Sequence, residues 1–520
     1  MDSRFHKNDN YSGNIEAELQ GIIFYVLTLF LQTSKLTIIN IIMKTVKRVL
    51  KFIIIIIGFL LISVVVVLLL DTQSTNYLKV GNNKSASTNS FLITNINVIP
   101  MSQDTILVDK MVHIKDGIIQ KVADRIEING IETLDAKNKY LTPGLIDMHV
   151  HVWDRYELGL YLSNGVTAVR NLWGMPMHLR IKEDVNNDEI ISPIFFTTGP
   201  KLTGPEFIGD DNLQLTSPNE AKEKVISYKK RGYDFIKTYY GLTEDIFDAV
   251  VEQAIISDMD IVAHPSQKVP YSYHFNPQIK SIEHAEDIIQ QPLNYNLSDT
   301  LKLKEVINDF SKSKHTCFSP TLTVYNNIYQ MLIDDNILES EQLQFINPLI
   351  RKVDSKAQFD RWYNTKLRDS SIVKAIKDQH NLHIKIIKEL HKEGVTLICG
   401  TDAGIGVTIP GSSIHQELAF YKEAGLSNYE VLKTATINAS KTHSIMNEMG
   451  TVEVGKIANL ILTDNNPLSD LSALQNPTTV FIKGRKLNRK TLDSYEKKAK
   501  NRNNLIASAV RYLENLIIEK

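Results

Sequence analysis

His149 and His151 stand two residues apart in LIDMHVHV, so on a β-strand both imidazoles project to the same face. An H-x-H pair alone is weak evidence for a metal. Its weight comes from what lies at the ends of the other apolar runs: Lys237 in YDFIKTY, His264 in DIVAHP, His284 in SIEHA and Asp402 in VTLICGTD. Three or four imidazoles with a carboxylate form a ligand set suited to zinc or a similar divalent ion. Scattered core histidines would rarely all fall at the ends of such runs.

Bringing these groups together requires strands whose C-terminal ends converge. Short β-branched or aromatic runs at 145–152, 166–172, 193–199, 233–239, 260–265, 281–285, 315–322 and 395–402 alternate with helix-like stretches. The pattern predicts an α/β fold, a (β/α)8 TIM barrel over 143–445, with the candidate ligands on its C-terminal face. A doubly wound open sheet is the rival, but no G-x-G-x-x-G or P-loop motif supports it. The stretch 323–394 is too long for a simple crossover and predicts a helical insertion. Alternating β patterns at 91–142 and 446–488 predict one small β-sandwich domain assembled from both flanks. Within 489–520, Leu505, Ile506, Val510, Leu513, Leu516 and Ile517 fall at helical spacing and predict a packed surface helix.

The motifs LTPGLIDMHVHVWD, YDFIKTYYG, IVAHPSQ, SIEHAED and ICGTDAG, in that order, resemble the amidohydrolase superfamily in its imidazolonepropionase-like and prolidase-like branch. The resemblance extends over about residues 91–488 through LITNINVI, GSSIHQELAFYKEAGLSNYEVLKTATINAS and GTVEVGKIANLILTDNNPL. It implies a metal-dependent hydrolase with one or two divalent ions, expected to be zinc. His149, His151 and Asp402 would hold one ion and His264 and His284 the other. Lys237 would bridge them as a CO2-derived carbamate, which turns a poor cationic ligand into a bidentate anion. Asp402 would act as general base and then acid. The expected substrate is a small molecule or dipeptide with an amide C–N bond. A lactonase or esterase on the same centre, or a catalytically silent tethered binding protein, are the alternatives. Asp147 shares the face of His149 and His151 and is expected either to orient one of them or to pack in the barrel. Tyr239, His415 and Arg170 are expected in strand-end loops, where substrate contacts concentrate. Asn459 stands where the family usually has Asp, remote from these ligands.

Composition narrows the setting. A net charge of −1, from 58 Lys+Arg against 59 Asp+Glu, argues against a nucleic-acid-binding surface. Two cysteines exclude a disulfide scaffold or a Cys-rich zinc module, and Cys317 and Cys399 are expected to pack as small apolar residues. Phe52–Leu70 carries no charge, and as a helix it reaches roughly 28 Å, enough to cross a bilayer. Lys44, Lys47, Arg48 and Lys51 precede it, so residues 72–520 are expected outside the cytoplasm, in the periplasm or the extracellular space, behind a retained single-pass anchor at 43–71. Residues 72–90 read as a polar tether. The segment 1–42 reads as a doubtful extension, with Met43-Lys44 as the expected natural start. A homo-oligomer is compatible with this reading.

Overall fold

The computed structural model describes residues 9–82, 90–206 and 212–519. The chain divides into two units, Met1–Leu70 and Asp71–Lys520. In the first, a single helix begins at Asp9, passes Met43 without a break and ends at Ser74, in the second unit. It is long and apolar enough to cross a membrane, and Ile54 and Phe59 in its apolar run are exposed. Residues 1–8 of the expected extension lie outside the described residues.

Residues 72–82, expected as the start of a polar tether, instead pack within the second unit. Leu78 is fully buried, the Val80 N–H donates to the Glu189 carbonyl at 3.0 Å, and the Ile191 N–H donates to the Leu78 carbonyl at 2.6 Å. Tyr77 stacks obliquely against Tyr156 and Tyr495, with ring centroids 6.3 and 5.3 Å away. Two apolar side chains in a polar stretch are enough to seat it. The rest of the expected tether, 83–89, lies outside the described residues.

Strands β1 (Phe91–Val98), β2 (Leu107–Lys115), β3 (Ile118–Ala123), β4 (Glu132–Asp135) and β5 (Tyr140–Pro143) open the second unit. Nine short strands follow: β6 (Leu145–Val150), β7 (Val166–Asn171), β8 (Ile194–Thr197), β9 (Lys201–Thr203), β10 (Asn212–Gln214), β11 (Phe235–Thr238), β12 (Asp260–Ala263), β13 (Ile279–Glu283) and β14 (Cys317–Ser319). Near the C-terminus come β15 (Leu460–Thr463), β16 (Thr479–Ile482) and β17 (Arg485–Asn488). Where two sheets were expected from the flanks, hydrogen bonding joins eight strands into one, in the order β17-β16-β15-β5-β1-β2-β3 with β4 also on β1. Three strand spacings separate β16 from β1, about 14 Å in a flat sheet. The rings of Phe91 and Phe481 nevertheless stack at 5.8 Å, so the sheet curls over its own core. Bulges in β1 near Ile96 and a bridge from Ile118 to Ile457 accompany that curl.

The middle strands pair in parallel. β6, β7 and β8 form one sheet, and β10-β9-β11-β12-β13-β14 form another. Isolated parallel bridges Thr198↔Phe235, Phe318↔Leu397 and Val150↔Ala403 link their ends, so the pairing returns to β6. The expected strand at 395–402 makes only those bridges and no ladder. Within 400–404, which includes Asp402, both Asp402 and Gly404 have positive φ. β6 is buried along its whole length, as a strand covered on both faces should be. Helix Pro218–Arg231, which leads into β11, starts on a Ser217 cap with Pro at its first position and stops at Gly232, whose φ is 93°.

The insertion is helical, with Leu322–Ile333, Lys356–Arg368 and Ser371–Lys392 enclosing a small core around Tyr325, Met331 and Ile376. The C-terminal region forms two helices, Arg489–Lys500 and Leu505–Ile518. The second departs from expectation: it buries Ala507, Ser508, Arg511 and Asn515 and leaves Ile506, Leu513 and Ile517 exposed. Cys317 and Cys399 are buried free thiols.

Candidate metal centre

Alternation along β6 sends Asp147, His149 and, just past its end, His151 to one side. Lys237 lies in β11, His264 follows β12, His284 follows β13, and Asp402 follows the bridged stave. All six residues expected to ligate are buried, none more than 6 % exposed. The His284 ring lies 4.7 Å from that of His149 and 4.4 Å from that of His264. Asp402 Oδ1 lies 2.7 Å from His151 Nε2 and 3.2 Å from His149 Nε2. One donor atom each from His149, His284 and Asp402 falls within 4.8 Å of the others, a spacing that suits a shared ion.

The backbone is bent to achieve this. His284, Thr321 and Asp402 have φ of 67°, 49° and 59°, a region non-glycine residues seldom occupy and one that concentrates at functional sites. Gly404, at φ 100°, has no room for a side chain: a Cβ would lie 1.9 Å from the His151 carbonyl oxygen.

Partners outside the cluster fix which imidazole nitrogen each histidine offers. His149 Nδ1 lies 2.8 Å from Glu283 Oε2, leaving Nε2 toward Asp402. His284 Nδ1 lies 2.8 Å from Thr321 Oγ1. His264 Nε2 lies 3.0 Å from Asp287 Oδ2 without a hydrogen bond between them. Glu283 is itself held by the Arg170 guanidinium at 2.8 Å, and Arg170 also donates to the Met148 carbonyl and Ser281. Glu283, Asp287 and Thr321 were not singled out in the sequence. Their signal was adjacency to His284 and to the end of β14, which is visible only once the strand ends are known to converge.

Electrostatics follow from burial. Desolvation pushes the Lys237 ammonium down to about 8, with Glu283 and Asp402 opposing it in part. Burial would raise the Asp402 carboxyl, but His149 and His151 hold it well below the usual carboxylate range. Burial lowers His264 and His284 well below the ordinary imidazole value. The same burial lifts Asp147 to about 7 despite hydrogen bonds from Thr401 and the His149 N–H.

The weaker candidates separate. Tyr239 sits directly after β11, its ring 4.4 Å from that of His264 and 4.5 Å from the Lys201 ammonium, beside the cluster. Arg170 is not in a loop: it lies within β7, fully buried, with its guanidinium bound to Glu283, Ser281 and the Met148 carbonyl. Asp147 orients no imidazole; its carboxylate accepts from Thr401 Oγ1 at 2.7 Å and so pins the turn before Asp402. His415 lies on helix Ser413–Glu423, and its Nε2 lies 3.0 Å from the Asn164 carbonyl, ahead of β7 at the opposite strand ends. A cavity of about 740 Å³ touching His415 also lies away from the cluster.

The cluster fits divalent ions. The Lys237 Nζ and His264 Nδ1 are buried with no hydrogen-bond partner among the described residues, a costly arrangement unless something else engages them. A family model described as the amidohydrolase family matches residues 360–487, from the insertion through the Asp402 turn to the C-terminal part of the curled sheet. Over these residues the chain is similar to the amidohydrolase family. The imidazolonepropionase of Brevibacillus brevis is 24% identical to this chain over 421 residues, 70% of this chain and 86% of that protein. Three further curated relatives match short segments at 34–43% identity, and the chain spans only 13–21% of their lengths. Among solved structures, a bottromycin amidohydrolase superposes with TM-score 0.66 at 22% identity, over 82% of this chain and 92% of that one. A Xaa-Pro dipeptidase with methionine in its active site superposes with TM-score 0.59 at 19% identity, over 77% of this chain and all of that one. At these identities the structural likeness is one of fold.

Proposed function

We propose that this protein is a membrane-anchored, metal-dependent amidohydrolase that cleaves an amide C–N bond in a small molecule or dipeptide, on a (β/α)8 barrel. The observation that carries the reading is the buried Lys237 amine and His264 Nδ1, neither with a hydrogen-bond partner, beside the donors of His149, His284 and Asp402. His149, His151 and Asp402 would hold one divalent ion and His264 and His284 a second, with Lys237 shared as its carbamate. An amine pushed down to about 8 is partly neutral near pH 7, the form that can add CO2.

Bound divalent ions supply Lewis acidity toward a carbonyl and lower the pKa of water. The protein's own groups do the rest. Asp402 Oδ1 accepts a proton from the attacking water and returns one to the departing nitrogen. Glu283 and Thr321 keep His149 and His284 in fixed orientations, so no reorganisation is needed during turnover. Tyr239 and Tyr240, whose rings lie 4.4 and 4.2 Å from that of His264, form an aromatic wall for the substrate. The dipeptide class is supported by the Xaa-Pro dipeptidase among the fold neighbours.

Elemental analysis of the purified chain, with turnover measured on a panel of dipeptides, cyclic amides and lactones, tests this. Amide hydrolysis that is abolished by chelation and restored by metal is expected. Turnover of lactones alone would move the function to a lactonase, and metal without turnover would leave a binding protein.

A further inference from the structure

The C-terminal helix Leu505–Ile518 is packed with the wrong face inward for an ordinary core helix. Its buried side is polar or small: Asn347 Nδ2 donates to Ser508 Oγ at 2.8 Å, and the Arg511 guanidinium pairs with Asp71 at 2.5 Å. Its apolar side chains recur at 506, 510, 513 and 517, one stripe along the helix, and Ile506, Leu513 and Ile517 are 62, 56 and 81 % exposed. A single exposed Ile is ordinary, but a helical stripe of them needs a partner.

Chain connectivity indicates which. Asp71, gripped by Arg511, directly follows Leu70, the last residue of the apolar run. Arg511 sits mid-helix, so at 1.5 Å per residue each end of the helix is about 10 Å along its axis from that grip. The preceding helix exposes Lys490, Lys497 and Lys498, and the Lys498 ammonium lies 4.8 Å over the Tyr77 ring in the same segment that follows the run. An exposed apolar stripe on one helix, with exposed lysines on the helix before it, suits a surface that meets a headgroup layer.

We propose that the stripe Ile506–Val510–Leu513–Ile517 rests in the interfacial layer of the same bilayer that Phe52–Leu70 crosses, giving the catalytic unit a second, non-spanning lipid contact. This rests on the anchoring reading above.

The test places one environment-sensitive fluorophore on the full-length chain in vesicles of zwitterionic and anionic phospholipid, at Leu513→Cys, Leu60→Cys or Lys304→Cys. Cys317 and Cys399 are buried, so the introduced thiol takes the label. Interfacial helices sink about 5–10 Å, so the 513 probe should be quenched more by lipids brominated near the headgroup than by deeply brominated ones. The 60 probe should show the reverse order, and the exposed 304 probe should respond only to aqueous iodide. Quenching of the 513 probe by iodide alone, with the 60 probe still lipid-quenched, would overturn the proposal and spare the anchor. Shielding from both quenchers, with energy transfer between labelled copies, would assign the stripe to a second chain and overturn it equally. A 60 probe blind to lipid would remove the anchor and the proposal together.

Discussion

Glu283 shows how one buried carboxylate governs a cluster it does not join. It touches His149 Nδ1 and Arg170 together, so burial, which alone would raise its pKa, is overcome by the guanidinium and the imidazole. Loss of such an outer partner typically costs about 10–100-fold in metal affinity. Glu283→Gln is therefore expected to weaken one ion by that factor in a chelator competition, whereas unchanged affinity would reduce Glu283 to a packing role. For Asp402→Asn, turnover should fall by roughly 10²–10⁴-fold. Kinetics within a few-fold of wild type would show that the proton moves elsewhere. The six ligand candidates were legible because each ends an apolar run, where a charged or imidazole group has no cheap structural explanation. Arg170 was misread because its partner Glu283 lies far along the chain, and no local pattern reports a salt bridge closed between β7 and β13. The nitrogen offered by each imidazole was likewise invisible, since it depends on Glu283, Asp287 and Thr321.

At the scale of elements, the loop after β6 is held by His178, whose Nε2 lies 2.7 Å from the Val152 carbonyl and whose Nδ1 accepts from the Met175 N–H. Burial lowers this imidazole to about 4 from its ordinary 6.5. Its contribution to stability is therefore complete above pH 6.5 and is lost as the pH falls through about 4. Chemical denaturation of wild type and His178→Gln between pH 7 and 4 should show the variant losing less stability on acidification, and parallel losses would refute the assignment. The Arg511–Asp71 pair is a second element-scale clamp, with both side chains under a tenth exposed. Removing one partner of a buried pair costs about 3–5 kcal/mol, so Arg511→Leu should lower the denaturation midpoint of the second unit markedly. A midpoint unchanged from wild type would argue against the clamp. Periodicity revealed the helices of the insertion and the two β flanks, because those patterns are local. It did not reveal that eight flank strands join into one curled sheet, or that the last stave makes bridges instead of a ladder. Register and curl are set by contacts such as Phe91 with Phe481, far apart in sequence. The C-terminal helix teaches the same lesson in reverse: spacing located its apolar face, but only the packing shows that Ser508 and Arg511 turn inward.

For the whole molecule, the proposed anchor, with basic residues ahead of the apolar run, would leave the catalytic unit outside the cytoplasm. In intact cells residues 72–520 should resist added protease until the outer barrier is opened, and digestion from the cytoplasmic side of inverted vesicles would reverse the orientation. The account as a whole rests on ions held between the histidines and Lys237. The most direct test is the metal content per chain of the full-length protein, reconstituted with and without bicarbonate, compared with that of Lys237→Ala. The account predicts one or two divalent ions in the wild type, loading that rises with bicarbonate, and loss of at least one ion in Lys237→Ala with partial recovery of activity in formate or acetate. Full occupancy and normal turnover in Lys237→Ala, indifferent to bicarbonate, would contradict it.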